Sequence, residues 1–133
     1  MTKVLVFGVF DGLHDGHRSF LRQAKACGDC LVIAVAQDAV VHRLKNKKPH
    51  FTLTSRILAL QKSRVADEVV AGDIDIGTWG VLEKYKPDVI AIGYDQKALQ
   101  KGIEAHIKNN HLKIKLVVLD PHKPEIYKSS RVR

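Results

Sequence analysis

Two histidines stand three positions apart in a glycine-rich stretch near the start of the chain. The stretch runs from Gly8 to His17, and it contains His14, Asp15 and Gly16. Imidazoles beside the first turn of a helix suit a reaction at phosphate, because the amide groups and the positive end of the helix attract anions. One donor aimed at an oxygen that gains charge is worth about 3 kcal/mol. The residues favour phosphoryl-type transfer, with a helix cap or a metal site as the alternatives.

The elements that would position this stretch are short apolar runs that alternate with helical patterns. Runs without polar alternation suit strands buried on both faces, which is typical of parallel sheets. The strand predictions are Val4–Phe7, Leu31–Ala36, Glu68–Ala71, Val89–Ile92 and Ile114–Leu119. The helix predictions are Gly16–Ala26, Ser55–Val65 with Thr54 as its N-cap, Thr78–Lys86 and Gln96–Asn109.

This alternation predicts an α/β fold in one domain over residues 1–133, with a Rossmann-like, doubly wound, five-stranded parallel sheet. Ligands of such sheets bind beyond the carboxyl ends of the strands, where the strand order reverses. The site is therefore expected in the loops that follow strands, and the stretch 8–17 follows the first one.

Composition and charge narrow the class of partner. The chain has 133 residues, 45% of them hydrophobic, and a formal net charge of +8, which favours anionic partners. The longest apolar run, Leu31–Ala36, is too short to cross a bilayer, and no signal-peptide pattern precedes the first strand. These observations predict a cytoplasmic protein that binds phosphates. A solvated cationic surface is the alternative explanation of the charge.

The two cysteines, Cys27 and Cys30, form a Cys-x-x-Cys pair between a predicted helix and a predicted strand. Redox pairs of this kind normally lie at a helix start, and a zinc site needs two more close ligands. We therefore expect two small, partly buried residues rather than a redox or metal site. Two aromatic residues, Trp79 and Tyr94, are candidates for stacking on a base or flavin, but for Trp79 a core or interface position is favoured over stacking.

The stretch 8–17 resembles the signature of the cytidylyltransferase-like nucleotidyltransferases. It reads G-V-F-D-G-L-H-D-G-H, which is similar to that family's G-T-F-D-x-x-H-x-G-H. Residues 24–29 are similar to the family's A-K-x-x-G-D, and residues 93–96 to the G-Y-D-Q of archaeal-type FAD synthases. Residues 123–131 resemble the family's closing segment, with departures at Ile126 and Lys128, and Val9 replaces the usual threonine.

The resemblance implies site roles, residue by residue. It implies catalytic roles for His14, His17 and Lys45. It implies nucleotide binding by Val9, Phe10, His14, Gly16, His17, Gly93, Asp95, Lys123, Ser129 and Ser130. It implies acceptor binding by Asp11, Lys45 and Arg56. The family uses a divalent cation, usually Mg²⁺, which arrives with the nucleoside triphosphate, and no metal-ligating residue of the chain is predicted.

The resemblance also implies a reaction, in which a nucleoside monophosphate moves from a triphosphate to a phosphorylated acceptor and pyrophosphate leaves. Transfer of AMP from ATP to FMN is favoured by residues 93–96, and transfer of CMP to glycerol 3-phosphate or a related alcohol phosphate is the alternative. A catalytically weak nucleotide- or nucleic-acid-binding module is the alternative of another class. Small members of the family are often homodimers. A membrane partner is not expected, and nucleic acid is disfavoured.

Overall fold

The computed structural model describes residues 1–73 and 79–120, except for the side chain of residue 44. Strands and helices alternate through this part of the chain. The strands are β1 (Lys3–Gly8), β2 (Cys30–Val35), β3 (Glu68–Ala71), β4 (Val89–Gly93) and β5 (Lys115–Leu119). The helices are α1 (Asp15–Lys25), α2 (Asp38–Lys45), α3 (Leu53–Ser63), α4 (Gly80–Tyr85) and α5 (Lys97–Asn109). None of the helices in this part is long and apolar enough to cross a membrane.

The strands form one five-stranded sheet in the order β3-β2-β1-β4-β5, and every pair is parallel. The predicted five-stranded parallel sheet is confirmed. The chain builds outward from β1 through β2 to β3 and then returns to add β4 and β5 on the other side of β1. The strand order therefore reverses between β1 and β4, which is where a parallel sheet of this kind leaves a crevice for a ligand.

Helices cover both faces of the sheet, which confirms the doubly wound arrangement. Val4 and Val6 of β1 pack on one face with residues of α1 and α3, whereas Leu5 of the same strand packs on the other face with α4 and α5. Each of these side chains is fully buried, and burying one stabilises the fold by about 1.5–3 kcal/mol. Burial on both faces explains why the strand sequences lack polar alternation.

Helix α2 was not predicted. Among its residues other than residue 44, Val40 and Val41 are the buried ones, and basic residues fill its last turn, a pattern too short to signal a helix. The helix ends at Asn46, whose φ of +55° lies in the left-handed region that asparagine tolerates. The end of α2 thereby fixes the place of Lys45.

Two predicted helix starts are wrong. The N-cap of α3 is Thr52 and not Thr54, because the Thr52 hydroxyl accepts a hydrogen bond from the Ser55 amide at 3.2 Å. Helix α4 begins at Gly80, because Trp79 has a φ of +59°, which is incompatible with an α-helix.

Candidate active site

The loop between β1 and α1 folds the side chain of Phe10 back into the core. Phe10 is 4% exposed, and its φ of +53° turns the chain sharply. Its ring stands edge-on to the imidazole of His17, with ring centroids 5.4 Å apart. A β-carbon on Gly8 would lie only 2.5 Å from the Phe10 ring, so the fold of this loop requires glycine at that position. The buried ring anchors the loop below the histidines.

His14 is the N-cap of α1. Its Nδ1 accepts hydrogen bonds from the amides of Gly16 at 3.0 Å and His17 at 3.3 Å. Histidine is unusual as an N-cap, a position that serine, threonine, aspartate and asparagine normally take. A β-carbon on Gly16 would lie 2.9 Å from His14 Cε1, so the cap depends on the missing side chain there.

This cap changes how the helix end acts on an anion. We expected the first amides of α1 to be free for a phosphate, but two of them donate to the His14 ring. Because Nδ1 accepts these bonds, the neutral ring of His14 carries its proton on Nε2. Hydrogen bonds in a chain polarise one another. The positive end of the helix therefore acts through the imidazole and strengthens Nε2 as a donor.

His17 lies against His14, and the two rings stack with centroids 3.7 Å apart and planes 19° from parallel. Burial lowers the pKa of the His17 imidazole, and the nearby His14 and Lys45 lower it further. The lowered pKa keeps the His17 ring uncharged at neutral pH. The Nδ1 of His17 also accepts a hydrogen bond from the His14 amide at 3.4 Å, so each ring caps the start of α1 with one nitrogen.

A cleft of about 540 Å³ is lined by the loops that follow β1 and β4, together with Lys45 at the end of α2. This volume suits a small-molecule ligand, for which pockets are about 300–1,000 Å³. The structure brings nine predicted site residues to the cleft: Val9, Phe10, Asp11, His14, Gly16, His17, Lys45, Gly93 and Asp95. The exposed Tyr94 also lines it, as its predicted stacking role requires.

Sequence reasoning missed two polar residues of the cleft wall, Gln96 and Asp120. Asp120 directly follows β5, so the expectation that site residues follow strands could have found it. Gln96 precedes α5 and belongs to the same segment as Gly93 and Asp95, for which nucleotide binding was predicted. Only the three-dimensional structure shows where the Gln96 amide points.

Asp11 lines the cleft, but its carboxylate is engaged with backbone. It accepts hydrogen bonds from the amides of His50 at 2.7 Å and Phe51 at 2.9 Å. Burial acts to raise the pKa of the Asp11 carboxyl, but these two bonds, together with the nearby His50 and Arg56 side chains, leave the pKa below its usual value. Asp11 thus ties the β1–α1 loop to the segment before α3. Its predicted contact with the acceptor stays a prediction.

Arg56 does not line the cleft. Its side chain is buried, and its guanidinium donates to the carbonyl of Phe51 at 3.0 Å, to the carbonyl of Val9 at 2.8 Å and to the carboxylate of Asp38. Every guanidinium nitrogen therefore has a protein partner. The predicted acceptor role of Arg56 stays a prediction, and the contacts favour a brace that holds the β1–α1 loop against α2 and α3.

Three predicted nucleotide-binding residues, Lys123, Ser129 and Ser130, lie outside the described residues. Cys27 and Cys30 are free thiols, both half-buried, and they pack against opposite faces of the sheet. The prediction of two small, partly buried residues is confirmed. The predicted core position of Trp79 is also confirmed, since this half-buried ring packs in the core on the face covered by α4 and α5.

The match to a family model decides the class of protein. Residues 5–133 match the model described as cytidylyltransferase-like. The chain belongs to this family. A FAD synthase from Aciduliprofundum boonei is 40% identical over 119 residues, which are 90% of this chain and 78% of that protein. A FAD synthase from Thermoplasma volcanium is 35% identical over 133 residues, which are 100% of this chain and 92% of that protein.

A solved structure from the same archaeon, a lipopolysaccharide core biosynthesis protein from Thermoplasma volcanium, has a TM-score of 0.84 and 32% identity. The match covers 92% of this chain and 99% of that one. Both comparisons extend over nearly the whole chain, so the family's reaction class applies to the site described above. The protein is a nucleotidyltransferase.

The cleft also bears on the divalent cation that this family uses. Among residues 1–73 and 79–120, no group of three or more histidines, cysteines, aspartates or glutamates could hold a metal ion. Mg²⁺ is commonly held by one or two carboxylates together with substrate phosphates. Asp95 and Asp120 supply carboxylates in the cleft wall. These two carboxylates could help to hold a cation that arrives with a triphosphate.

Proposed function

We propose that the protein is an FMN adenylyltransferase, which transfers AMP from ATP to FMN, forms FAD and releases pyrophosphate. The observation that carries the proposal is the stacked pair of His14 and His17 in the cleft beside the first turn of α1. The acceptor is inferred from the relatives named FAD synthase, which align with nearly the whole chain.

The reaction needs no nucleophile from the protein. A phosphate oxygen of FMN attacks the α-phosphorus of ATP, and the bond from that phosphorus to the oxygen bridging to the β-phosphorus breaks. Pyrophosphate carries away the electron pair of the broken bond. Charge grows on the oxygens around the α-phosphorus and on the leaving group, so the task of the protein is to hold both substrates in line and to place donors there.

His14 and His17 are the donors suited to this task. The Nε2 of His14 is fixed in direction because the other ring nitrogen is bound to two helix amides. The ring of His17 is fixed by the stack and by the Phe10 ring beneath it. Fixed donors need no reorganisation as the charge develops, which makes them most effective in the transition state.

Lys45 is the cation assigned to a phosphate group. Its side chain is exposed, lines the cleft and lies close enough to His17 to help lower the pKa of that imidazole. An ammonium group at this place attracts the triphosphate or the phosphate of the acceptor. A bound Mg²⁺ would neutralise the triphosphate further, and the carboxylates of Asp95 and Asp120 in the cleft wall could hold it. Lys123, Ser129 and Ser130 are proposed to bind the β- and γ-phosphates on the strength of the resemblance alone.

A turnover panel tests the proposal. Pyrophosphate release is measured with ATP or CTP, each paired with FMN or glycerol 3-phosphate, in Mg²⁺ and in Mn²⁺. We expect release with ATP and FMN at a rate well above that of the other pairs, together with FAD seen by chromatography. Release only with CTP and glycerol 3-phosphate would transfer the assignment to the cytidylyltransferase. If no pair released pyrophosphate, the proposed transferase activity would be contradicted.

The same preparations test the remaining predictions. A nucleic-acid-binding module would lose affinity steeply with added salt, whereas a nucleotide site that depends on the cation would not. The predicted homodimer is measured by sedimentation velocity, and the predicted cytoplasmic location by fractionation of the source cells.

A further inference from the structure

The pairing between strands β1 and β4 stops before either strand ends. They pair only from Val4 to Val6, opposite Val89 to Ala91. Strand β1 stays paired with β2 as far as Gly8, and β4 stays paired with β5 as far as Gly93. The sheet therefore splits between its central strand β1 and the neighbouring β4, and the split opens at the cleft.

The split deprives two backbone groups of a strand partner: the carbonyl of Phe7 and the amide of Gly93. The side chain of Gln96 supplies both partners. Its Oε1 accepts a hydrogen bond from the Gly93 amide at 2.8 Å, and its Nε2 donates to the Phe7 carbonyl at 3.0 Å. The carboxamide thus spans the split in place of the direct ladder bond that the strands would make if they stayed together.

We propose that Gln96 is a positioning residue that sets the width of the split and so the place of the nucleotide in the cleft. The inference rests on the proposed function, because it concerns the same cleft. Phe7 leads into the loop that carries His14, and Gly93 leads into the loop that carries Asp95. The two loops that form the walls of the cleft are therefore joined by the hydrogen bonds of the Gln96 side chain. This role needs no contact between Gln96 and the reacting atoms.

The chemistry of the bridge limits what can replace it. The two backbone groups require one acceptor and one donor on the same planar group, and a carboxamide provides both. A carboxylate provides only acceptors, and its negative charge would repel the partial negative charge on the Phe7 carbonyl oxygen. A protonated carboxylic acid again provides one of each. The side chain makes no bond to the first amides of α5, so a capping role does not explain its placement.

Gln96→Glu and Gln96→Leu test the inference, with Gln61→Glu on the exposed face of α3 as the matched control. The dissociation constant of Mg²⁺–ATP is measured by calorimetry from pH 5 to pH 8 for each protein. Every value is divided by that of the wild type at the same pH. This ratio removes the titration of ATP itself, and Gln96→Leu, which adds no charge, keeps the groups that line the cleft in the same electrostatic surroundings: Asp11, His14, His17, Lys45, Asp95 and Asp120.

We expect Gln96→Glu to weaken nucleotide binding about ten- to a hundredfold at pH 8, since a partly buried hydrogen bond is lost and a repulsion is added. The ratio should return to within a few-fold of unity by pH 5, as the new carboxyl becomes protonated and donates to Phe7. Gln96→Leu should stay weak at every pH, and Gln61→Glu should match the wild type throughout. KM for ATP should rise more than kcat falls.

Amide exchange separates this inference from the proposed function, because it needs no nucleotide. The Gly93 amide, followed by NMR, should exchange about tenfold or more faster in Gln96→Leu than in the wild type, while the amides of β2 keep their protection. A Gln96→Glu ratio near unity at pH 8, or Gly93 exchange that does not change, would overturn the inference. If the wild type binds no ATP, the proposed function fails, and the exchange result alone decides whether Gln96 holds the split.

Discussion

Arg56 offers the sharpest test of the site, because a brace and a substrate ligand respond to substitution in opposite ways. Its buried guanidinium bonds to the carbonyls of Val9 and Phe51 and to the carboxylate of Asp38. Arg56→Met keeps the length and the apolar stem of the side chain and removes the charged group. The substitution leaves two partly buried carbonyls and one carboxylate without their partner.

The expected loss follows from these three partners. The side chain of Asp38 is 49% exposed, so water can replace the guanidinium there at small cost. The hydrogen bonds to the carbonyls of Val9 and Phe51 are partly buried, and an unsatisfied buried acceptor costs about 1–3 kcal/mol. Breaking a buried ion pair from one side costs at most about 3–5 kcal/mol. We expect Arg56→Met to lower the free energy of unfolding by about 3 kcal/mol.

Urea unfolding followed by circular dichroism measures this loss, with Arg18→Met as the matched control. Arg18 pairs with Asp15 at 3.4 Å on the surface of α1, and its side chain is 56% exposed. Such a pair contributes about 0–1 kcal/mol, so the control should unfold close to the wild type.

Activity completes the test, because a looser β1–α1 loop should lower kcat as well as stability. The reasoning would be refuted if Arg56→Met unfolded within about 1 kcal/mol of the wild type and raised KM for the acceptor at unchanged kcat. That result would place the guanidinium on the substrate.

Three further predictions concern the histidine pair. His17→Ala should lower turnover at least about a hundredfold while its circular dichroism spectrum stays that of the wild type. Near-normal turnover would show that the histidine pair does not take part in the reaction. The His17 ring should titrate below the usual histidine pKa in NMR, chiefly because it is buried. The unfolded chain then takes up the proton first, so the stabilising contribution of the neutral ring is lost as pH falls from about 6.5 toward the folded pKa. An unshifted or raised titration would contradict this. Gly16→Ala should cost about 1 kcal/mol of stability and also lower kcat, because the new β-carbon would displace the His14 ring that caps α1. Unchanged kcat would show that the cap does not aim His14.

The sheet could be read from the sequence because its strands are buried on both faces. β3 has the predicted bounds, β4 and β5 differ from theirs by one residue at one end, and β1 and β2 differ by one residue at each end. Apolar runs without alternation report such burial directly. Helix α2 escaped prediction because its stability comes from the docking of Val40 and Val41 and from the Asp38–Arg56 pair, which joins residues far apart in sequence.

The sequence predicted which residues line the cleft better than it predicted what each of them contacts. His14, His17 and Gly93 could be assigned to one cleft because each follows a strand or begins a helix. The tasks of Asp11 and Arg56 depend on partners about forty positions away in the chain, which no local pattern reveals. Both were expected to contact the acceptor, and in the structure both bind backbone groups of the protein.

These backbone contacts explain how a loop can supply accurately placed donors. A transfer without a protein nucleophile depends on where the donors stand, and the β1–α1 loop is short of regular backbone bonds of its own. Besides Asp11, three side chains hold it: His14 at the start of α1, Arg56 on α3 and Gln96 ahead of α5. Each of the three holds a different part of the same loop or the strand that leads into it. Loss of one of these contacts should therefore weaken the effect of the other two on the donors. When the losses in kcat are converted to activation free energies, the loss for a paired substitution should be smaller than the sum of the losses for the two single substitutions.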